Sequence, residues 1–440
     1  MKKFKFTAAA LAAAVLMTAS GCGKGQEATQ QPSGITDQIE ADGISGSEEP
    51  ESGSQETAAE NTEEGTSVAE ATDGDAEPTS RAADGTVDGS ADSAGVDVSI
   101  IMVGDLLMHD NISASGYLAD GTVNYDHIFA HVKDDVQAAD VAVINNEVIY
   151  GGDDRGYQNY PMFNVVTPLG DSVVDAGFDV VLHASNHVLD QGTTGVENCL
   201  DFWNNKHPEI AVLGIHESSE DAAEIYVYEK DGFKIAMLNY TYGMNGMALP
   251  DDKDYLVDLM TEETKNKVIY DIRRAHDLAD AVVVFPHWGT EYNLGSDDFQ
   301  HEWAQLFADE GVILAIGDHP HVVEPVEWYT GKNGNEMLCY YSVGNFISSQ
   351  TGADSMLGIM SQTTLHKNAD GSVSIKEYGL EPLVTHRRSG AGNFTTYRLS
   401  DYTQDLVSQN SILNYDGRFS ISYLEDLCER EFGDLYKKGE

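Results

Sequence analysis

Cysteines and basic residues are scarce in this 440-residue chain, and each shortage excludes a class of protein. Four cysteines occur far apart, so the sequence has no cysteine-rich metal motif, and at most one disulfide can form among Cys199, Cys339 and Cys428. We expect these three to be buried free thiols. Only 25 lysines and arginines oppose 74 aspartates and glutamates, for a formal net charge of −49. This charge argues against a nucleic-acid partner.

After residue 19, the sequence also lacks an apolar run long enough to span a membrane. Three lysines precede a short apolar run over residues 6–19, and Ser-Gly-Cys ends at Cys22. This order is typical of a secretory signal peptide, which we assign to residues 1–22. A cysteine after Ala-Ser-Gly resembles the lipobox of bacterial lipoproteins. That resemblance implies acylation of Cys22 and an extracytoplasmic, lipid-anchored protein, with ordinary cleavage nearby as the alternative.

Aromatic and branched apolar residues are almost absent between the signal peptide and residue 96. Residues 24–97 contain 19 acidic and two basic side chains. Such a segment cannot bury enough apolar surface to offset the entropy that ordering costs. We therefore predict a disordered acidic tether over residues 23–96. A main domain is predicted over residues 97–348, and a C-terminal part over residues 349–440 completes or extends it.

Beyond the tether, apolar runs of strand length alternate with segments of helical periodicity, which predicts a mixed α/β domain. The predicted strands include VDVSIIMVGD, VAVINNE, VVLHASNH, AVVVFPHWG and VILAIGDHPH. The predicted helices are PLGDSVVDAGFD, TTGVENCLDFWNNK, TEETKNKVIYDIRRAHDLA and DDFQHEWAQLFADEG. Thr193 is the expected cap of the second helix. Asp231 and Gly232 predict a hairpin turn, and later Asn-Gly and Asp-Gly pairs predict two more.

The predicted strands end in residues with oxygen or imidazole side chains. These residues are Asp105, Glu147, Asn186, His187, His287, His319 and His321. In α/β sheets, ligands bind beyond the carboxyl ends of the strands. In an extended segment, alternate side chains share a face, so His319 and His321 would point at one object. Singly, each residue has a structural alternative, such as a turn cap or a buried histidine. Together they predict a metal site.

Six motifs follow one another over residues 98–348 in an order seen in a known bacterial family. They are VGD, INNE, SNHVLDQG, PHWGTEY, GDHPHVVEP and YSVGNF. The set resembles the CapA family of capsule-synthesis, poly-gamma-glutamate-associated proteins, whose domain is similar to calcineurin-like metallophosphoesterases. The resemblance implies a four-layer αββα sandwich with mixed sheets and a C-terminal β/α extension. Ser185 and Asp318 depart from the family pattern, which has asparagine at the first position and histidine or a small residue at the second.

The resemblance also implies two divalent metal ions. Asp105 and His321 resemble ligands of the first ion, and Glu147 stands where the fold has a bridging carboxylate. The residues that resemble ligands of the second ion are Asn186, His287 and His319. Such ligands suit Mn, Fe, Zn or Mg, and the sequence does not choose among these metals. A pair of ions could bind an anionic oxygen and acidify a water.

Four further residues border these predicted ligands. His187 resembles a general acid beside the leaving group. Asp190 and Glu291 lie just beyond two motif histidines and could orient their rings, with solvated loop carboxylates as the alternative. His109 is an outside candidate because it lies four residues after Asp105, where the family spacing is two.

Three functions are compatible with the resemblance. The first is a metal-dependent hydrolase or transferase acting on an anionic cell-envelope polymer, either poly-gamma-glutamate or a phosphorylated glycan, with polymerase and export subunits as partners. The second is a metallophosphoesterase of small substrates, and the third is a non-catalytic assembly factor. A basic cluster of His386, Arg387 and Arg388 could hold a polyanion or form a solvated loop.

Overall fold

Two mixed β-sheets dominate the computed structural model, which describes residues 95–388 and 394–436. The strands are β1 (Val96–Leu106), β2 (Val141–Asn145), β3 (Val180–Leu182), β4 (Ala211–Leu213), β5 (Tyr226–Lys230), β6 (Phe233–Thr241), β7 (Ala281–His287), β8 (Leu314–Ile316), β9 (Val326–Thr330), β10 (Glu336–Tyr340), β11 (Asn345–Ile347), β12 (Leu357–Lys367), β13 (Val373–Arg387) and β14 (Phe394–Arg398). The helices are α1 (Asp110–Ser115), α2 (Asp126–Phe129), α3 (Lys133–Ala138), α4 (Pro168–Ala176), α5 (Gly192–Lys206), α6 (Lys265–Leu278), α7 (Asp298–Asp309), α8 (Gln404–Gln409) and α9 (Ile421–Phe432).

The first sheet has the strand order β14-β13-β12-β1-β2-β3-β4, and β11 pairs with β1 off this path. Strands β1 to β4 pair in parallel with one another, whereas β12 pairs antiparallel with β1 and with β13, and β13 pairs antiparallel with β14. The second sheet has the order β5-β6-β7-β8-β10-β9, parallel from β6 to β10 and antiparallel at both edges. The parallel strands of each sheet therefore end at one edge, where ligands collect in α/β folds.

Alternate residues along the central strands enter different hydrophobic cores, which explains their continuous apolar sequences. On β1, Ile100 and Met102 pack between the two sheets, whereas Ile101 and Val103 pack against helices on the outer face. On β7, Val283 belongs to the core between the sheets, and its neighbours face α6 and α7. Helix, sheet, sheet and helix thus form four layers. The predicted α/β class and αββα sandwich are confirmed.

The C-terminal part belongs to the same compact unit as the main domain. Strands β12 to β14 continue the first sheet beyond β1, and side chains of α8 and α9 pack into the core between the sheets. Cys199, Cys339 and Cys428 are buried free thiols, as expected. None of the helices in the described residues combines the length and hydropathy that a bilayer-spanning helix needs. The predicted signal peptide, Cys22 and nearly all of the predicted tether lie outside the described residues.

Two local predictions differ from the structure. Thr193 lies inside α5, which begins at Gly192, because the preceding turn leads directly into the helix without a side-chain cap. The basic cluster is not a solvated loop, since His386 and Arg387 are buried on β13 and only Arg388 is exposed. The hairpin turn is confirmed, with positive φ at both Asp231 and Gly232 between β5 and β6.

Candidate metal centre

The predicted site residues meet where the carboxyl ends of the two sheets face each other. The first sheet places Asp105 at the end of β1, Glu147 two residues after β2, and Asn186 with His187 after β3. The second sheet places His287 at the end of β7, and it places His319 and His321 after β8. All seven side chains are at most 4% exposed. Residues separated by up to 216 positions in sequence therefore form one cluster.

Two glycines bring the first acid into the cluster. A Cβ on Gly104 would lie 1.8 Å from the carbonyl oxygen of Gly344, so only glycine allows β1 and the segment before β11 to approach so closely. The backbone amide of Asp105 donates to that carbonyl at 3.2 Å. The carboxylate of Asp105 then accepts from Nδ2 of Asn145 at 2.8 Å through Oδ1, and its Oδ2 lies 2.9 Å from Nδ1 of His321.

Glu147 lies between two groups of ligands. It is fully buried, and neither carboxylate oxygen has a hydrogen-bond partner. Its Oε1 lies 3.7 Å from Nε2 of His287, and its Oε2 lies 3.7 Å from Nδ1 of His321. Burial raises the pKa of Glu147 well above its usual range, and the Asp105 and Asp318 carboxylates add to the effect. An unpaired buried carboxylate is costly unless a cation compensates it.

His287 is oriented by an acid that the sequence did not identify as a site residue. Its Nδ1 donates to Oδ1 of Asp318 at 2.6 Å, which turns Nε2 toward Glu147 and toward Oδ1 of Asn186, 3.0 Å away. Carboxylates commonly orient metal-binding histidines in this way. Burial lowers the pKa of His287 to about 3, so the ring is neutral and its lone pair is available.

The two histidines of the GDHPH segment do not lie in an extended strand, contrary to the prediction. His319 has φ 98° and His321 has φ 60°, both in the left-handed backbone region that residues other than glycine rarely adopt. Strain of this kind is concentrated at functional sites. The rings still converge, with centroids 5.8 Å apart, and His319 lies 4.7 Å from His287. Nδ1 of His319 is buried without a hydrogen-bond partner.

His187 stands beside these ligands with its ring held by Asp190. Its Nδ1 donates to Oδ2 of Asp190 at 2.7 Å, and the same oxygen accepts from the backbone amide of Phe163 at 2.7 Å. The ring of Phe163 packs edge-on against His187, with centroids 4.8 Å apart. The Asp190 contact leaves Nε2 of His187 as the ring atom directed away from the carboxylate.

Glu291 and His109 lie at the edge of the cluster. The carboxylate of Glu291 comes within 4.8 Å of ring nitrogens of both His319 and His321, so it faces these two histidines. His109 is packed against Phe163 and accepts from the backbone amide of Ser349 at 3.3 Å. Burial lowers the pKa of His109 to about 4.

Sequence reasoning missed three contributors. Asn145 supports Asp105, Asp318 orients His287, and Nδ2 of Asn345 donates to the backbone oxygen of His321 at 3.0 Å. All three lie inside the motifs INNE, GDHPHVVEP and YSVGNF, and Asn145 and Asp318 lie within two residues of a predicted ligand. The motifs therefore held the signal, but sequence alone did not show which neighbour contacts which ligand.

Groups of side chains in this cluster fit metal binding. Glu147, His287 and His319 present ligand atoms within 4.8 Å of one another, and so do Asp105, Glu147 and His321. Glu147 is common to both groups, and its oxygens lack other partners. Oxygen and neutral imidazole ligands without thiolate suit the divalent ions expected from the sequence. The residues present thus fit one divalent ion and offer a shared carboxylate for a second.

The sequence model of a family described as bacterial capsule synthesis protein PGA_cap matches residues 99–350. The chain belongs to this capsule synthesis family. All seven predicted strand-end residues of this family member lie within the matched range.

Two relatives of this family member come from bacilli. The chain is 31% identical over 211 residues to the PGA biosynthesis protein CapA of Bacillus subtilis (strain 168), covering 46% of this chain and 50% of the relative. It is 27% identical over 263 residues to the capsule biosynthesis protein CapA of Bacillus anthracis, covering 58% and 60%. The chain therefore spans about half to three fifths of the length of these relatives.

The solved structures that this chain resembles share less of its sequence than the two CapA proteins do. The NAD nucleotidase NadN of Haemophilus influenzae has a TM-score of 0.41 at 11% identity, covering 78% of this chain and 65% of the nucleotidase. The sulfate thiohydrolase SoxB of Thermus thermophilus has a TM-score of 0.36 at 12% identity, covering 76% and 60%. Both values describe a loose overall similarity.

Proposed function

We propose that this capsule synthesis protein is a metal-dependent hydrolase or transferase that acts on a cell-envelope polymer through a two-metal site. The observation that carries this proposal is Glu147, a fully buried carboxylate with no hydrogen bond and with a histidine nitrogen 3.7 Å from each oxygen. A carboxylate in this position would compensate the positive charge of divalent ions held by the flanking histidines. A structural carboxylate would be paired with a donor instead.

The chain offers a separate set of ligands on each side of Glu147. Asp105 and His321 would hold a first divalent ion, and Asn145 and Asn345 would keep these two groups in place. The residues that would hold a second ion are Asn186, His287 and His319. Mn, Fe, Zn and Mg all accept such ligands. When bound, the ions would supply positive charge for an anionic substrate oxygen and acidify a water for attack.

His187 would provide the proton for the departing group. Asp190 fixes the ring through Nδ1, so Nε2, the atom that would carry the proton, is directed away from the carboxylate. In a hydrolysis, this proton passes to the leaving oxygen or nitrogen as its bond to phosphorus or carbon breaks. The attacking water later restores the proton to the ring. Phe163 keeps the ring in one orientation by edge-on packing.

For the substrate, we propose an anionic envelope polymer, either poly-gamma-glutamate or a phosphorylated glycan. The family and the acidic composition support this choice, since an acidic protein needs bound cations to hold a polyanion. We further propose that Cys22 is acylated and anchors the chain outside the cytoplasm. Polymerase and export subunits are then the expected protein partners.

Three alanine variants distinguish the proposed metal ligands from the proposed general acid. His319→Ala and His321→Ala should each lose bound metal, and their melting temperatures should fall, because an ion that binds only the folded state stabilises it. His187→Ala should retain most of the metal and lose roughly 10²–10⁴-fold in rate. Metal content, melting temperature and hydrolysis of phosphoesters and gamma-glutamyl amides are measured in chelated and metal-replete buffer.

His276→Ala is the matched control because His276 is an exposed histidine on α6, outside the cluster. Equal metal content in every variant and in the wild type would refute the ligand assignment. A wild type that binds metal but turns over none of the substrates would instead support the assembly-factor function.

A further inference from the structure

Large apolar side chains are unusually exposed beside the metal centre. Tyr160 is 67% exposed, the largest value among the large hydrophobic side chains of the described residues. Tyr157 and Met162, on either side of Tyr160 in the sequence, are also exposed. So are Tyr117 and Leu118, in the segment that follows α1. We call Tyr117, Tyr157 and Tyr160 the tyrosine rim. Exposed apolar patches of this kind commonly mark binding sites.

One residue of the tyrosine rim, Tyr160, lies beside His187, the proposed general acid. The ring of Tyr160 lies 6.4 Å from that of His187, and Phe163 packs against both rings. Tyr157, three residues before Tyr160, forms an edge-on pair with Tyr117, with centroids 5.6 Å apart. Tyr160 therefore places the rim on the side of the centre where a leaving group would depart.

Backbone hydrogen bonds hold this loop in place. Gln158 and Asn164 pair with each other, and Phe163 donates its amide to Asp190, the residue that also holds His187. At the other side, the amide of Asp110 donates to Oδ1 of Asn159 at 3.2 Å. Tyr157 and Tyr160 thus stand on a supported loop, and little ordering would be required when a ligand stacks on them.

The charge around the rim is negative. Burial, followed by the charges of Tyr157 and Asp153, raises the pKa of Tyr117, so a carboxylate's field reaches the rim. Asp154 adds a second acid to the same loop. Arg155 is the basic residue of this loop, and it donates to the side chain of Gln191. Such surroundings disfavour a polyanion and leave aromatic faces and hydroxyl groups for an uncharged ligand.

We propose that the tyrosine rim is a subsite for a neutral sugar ring on the leaving-group side of His187. The apolar face of a sugar ring stacks on an aromatic face, and tyrosine hydroxyls bond its hydroxyl groups. This inference rests on the proposed function and deepens it, because it favours a phosphorylated glycan over poly-gamma-glutamate. The phosphate would reach the metal centre, and the adjoining sugar would occupy the rim.

Binding measurements on the full-length protein test the subsite without requiring turnover. The probes are chitohexaose as a neutral glycan, a gamma-linked glutamate hexamer as a polyanion, and phosphatidylcholine vesicles as a lipid surface. Chitohexaose should bind the wild type, and Tyr160→Ala should raise its Kd by roughly ten-fold. Tyr160→Phe should retain most of the affinity, because the stacking face remains. Tyr270→Ala is the control, since Tyr270 on α6 is 60% exposed and lies outside the rim.

The outcomes separate the subsite from the proposed chemistry. Absence of chitohexaose binding at millimolar concentration, or an equal loss in Tyr270→Ala, would overturn the subsite. So would glutamate-hexamer or vesicle binding that Tyr160→Ala weakens while chitohexaose does not bind. Rim-dependent chitohexaose binding in chelated protein would support the subsite even if the wild type hydrolysed no phosphoester.

Discussion

At the scale of single residues, Asp318 determines the orientation of His287 in the metal centre. Sequence comparison with the family pattern marked it as a departure, but its position gave it no role. In the structure it accepts the Nδ1 proton of His287 at 2.6 Å and so determines which nitrogen faces Glu147. The departure from the family pattern at position 318 therefore has a structural role in this chain, because it fixes the orientation of the His287 ring.

Glu324 is another buried acid, and it lies three residues after His321 in the sequence. It is fully buried, and its Oε2 accepts from Nε2 of Gln300 at 2.6 Å. Burial raises the pKa of Glu324 to about 8. The unfolded chain loses this proton near pH 4.5, whereas the folded protein keeps it until about pH 8. Stability is therefore lost as the pH rises through this window.

We predict that Glu324→Gln removes this pH dependence, because glutamine does not ionise. Relative to the wild type, the variant should gain on the order of 3 kcal/mol of unfolding free energy between pH 5 and pH 8. Urea unfolding at both pH values measures the change. Glu336→Gln, at an exposed position on β10, is the control. Parallel pH profiles for the wild type and Glu324→Gln would contradict the prediction.

At the scale of elements, β13 supports the loop that follows β11. Arg387 on β13 is buried, and its Nη1 donates to the backbone oxygens of Ser349 and Gln350 at 2.8 and 2.7 Å. Gln350 in turn donates to the hydroxyl of Tyr292 and accepts from Asn345, which holds the backbone of His321. A C-terminal strand thus reaches the metal centre through two loops.

We predict that Arg387→Met destabilises the protein by about 2–3 kcal/mol, because two partly buried carbonyls lose a charged donor. It should also weaken metal binding through the displaced His321. Arg388→Met removes the same charge from the next position, which is exposed, and should change neither property. Melting temperature and metal titration of both variants provide the measurement. Equal effects of the two substitutions would show that net charge, not support of the loop, is responsible.

At the scale of the whole molecule, the chain divides into a folded part and a long acidic segment that lies outside the described residues. We predict that deleting residues 24–94 leaves the melting temperature unchanged within about 2 °C, since this segment has almost no apolar surface to bury. Thermal unfolding of the shortened and full-length proteins tests this prediction. A large fall would mean that the segment packs on the domain.

Two variants, one that keeps Cys22 and one that lacks it, test the proposed membrane anchor. The shortened protein keeps Cys22 and should remain in the membrane fraction, whereas Cys22→Ala in the full-length chain should release it. Retention of Cys22→Ala in the membrane would require another anchor.

Much of this protein was determined by the sequence alone. Apolar runs buried on both faces specify central strands, and their alternation with amphipathic helices predicted the α/β class, whereas the four-layer order was an implication of the family resemblance. The residue types after each strand also predicted the cluster, because parallel strands bring their carboxyl ends to one edge. The strand-end residues Asp105, Glu147 and His287 therefore meet as expected.

The tertiary structure alone decided how these side chains contact one another. His319 and His321 converge through left-handed backbone, which no extended-strand argument predicts. Glu147 lacks a partner only because both sheets surround it, and Tyr160 lies beside His187 only because two separate loops meet. Contacts of this kind depend on distances between segments far apart in the chain. Local sequence determines the conformation of each segment, but packing between the sheets determines which side chains finally face each other.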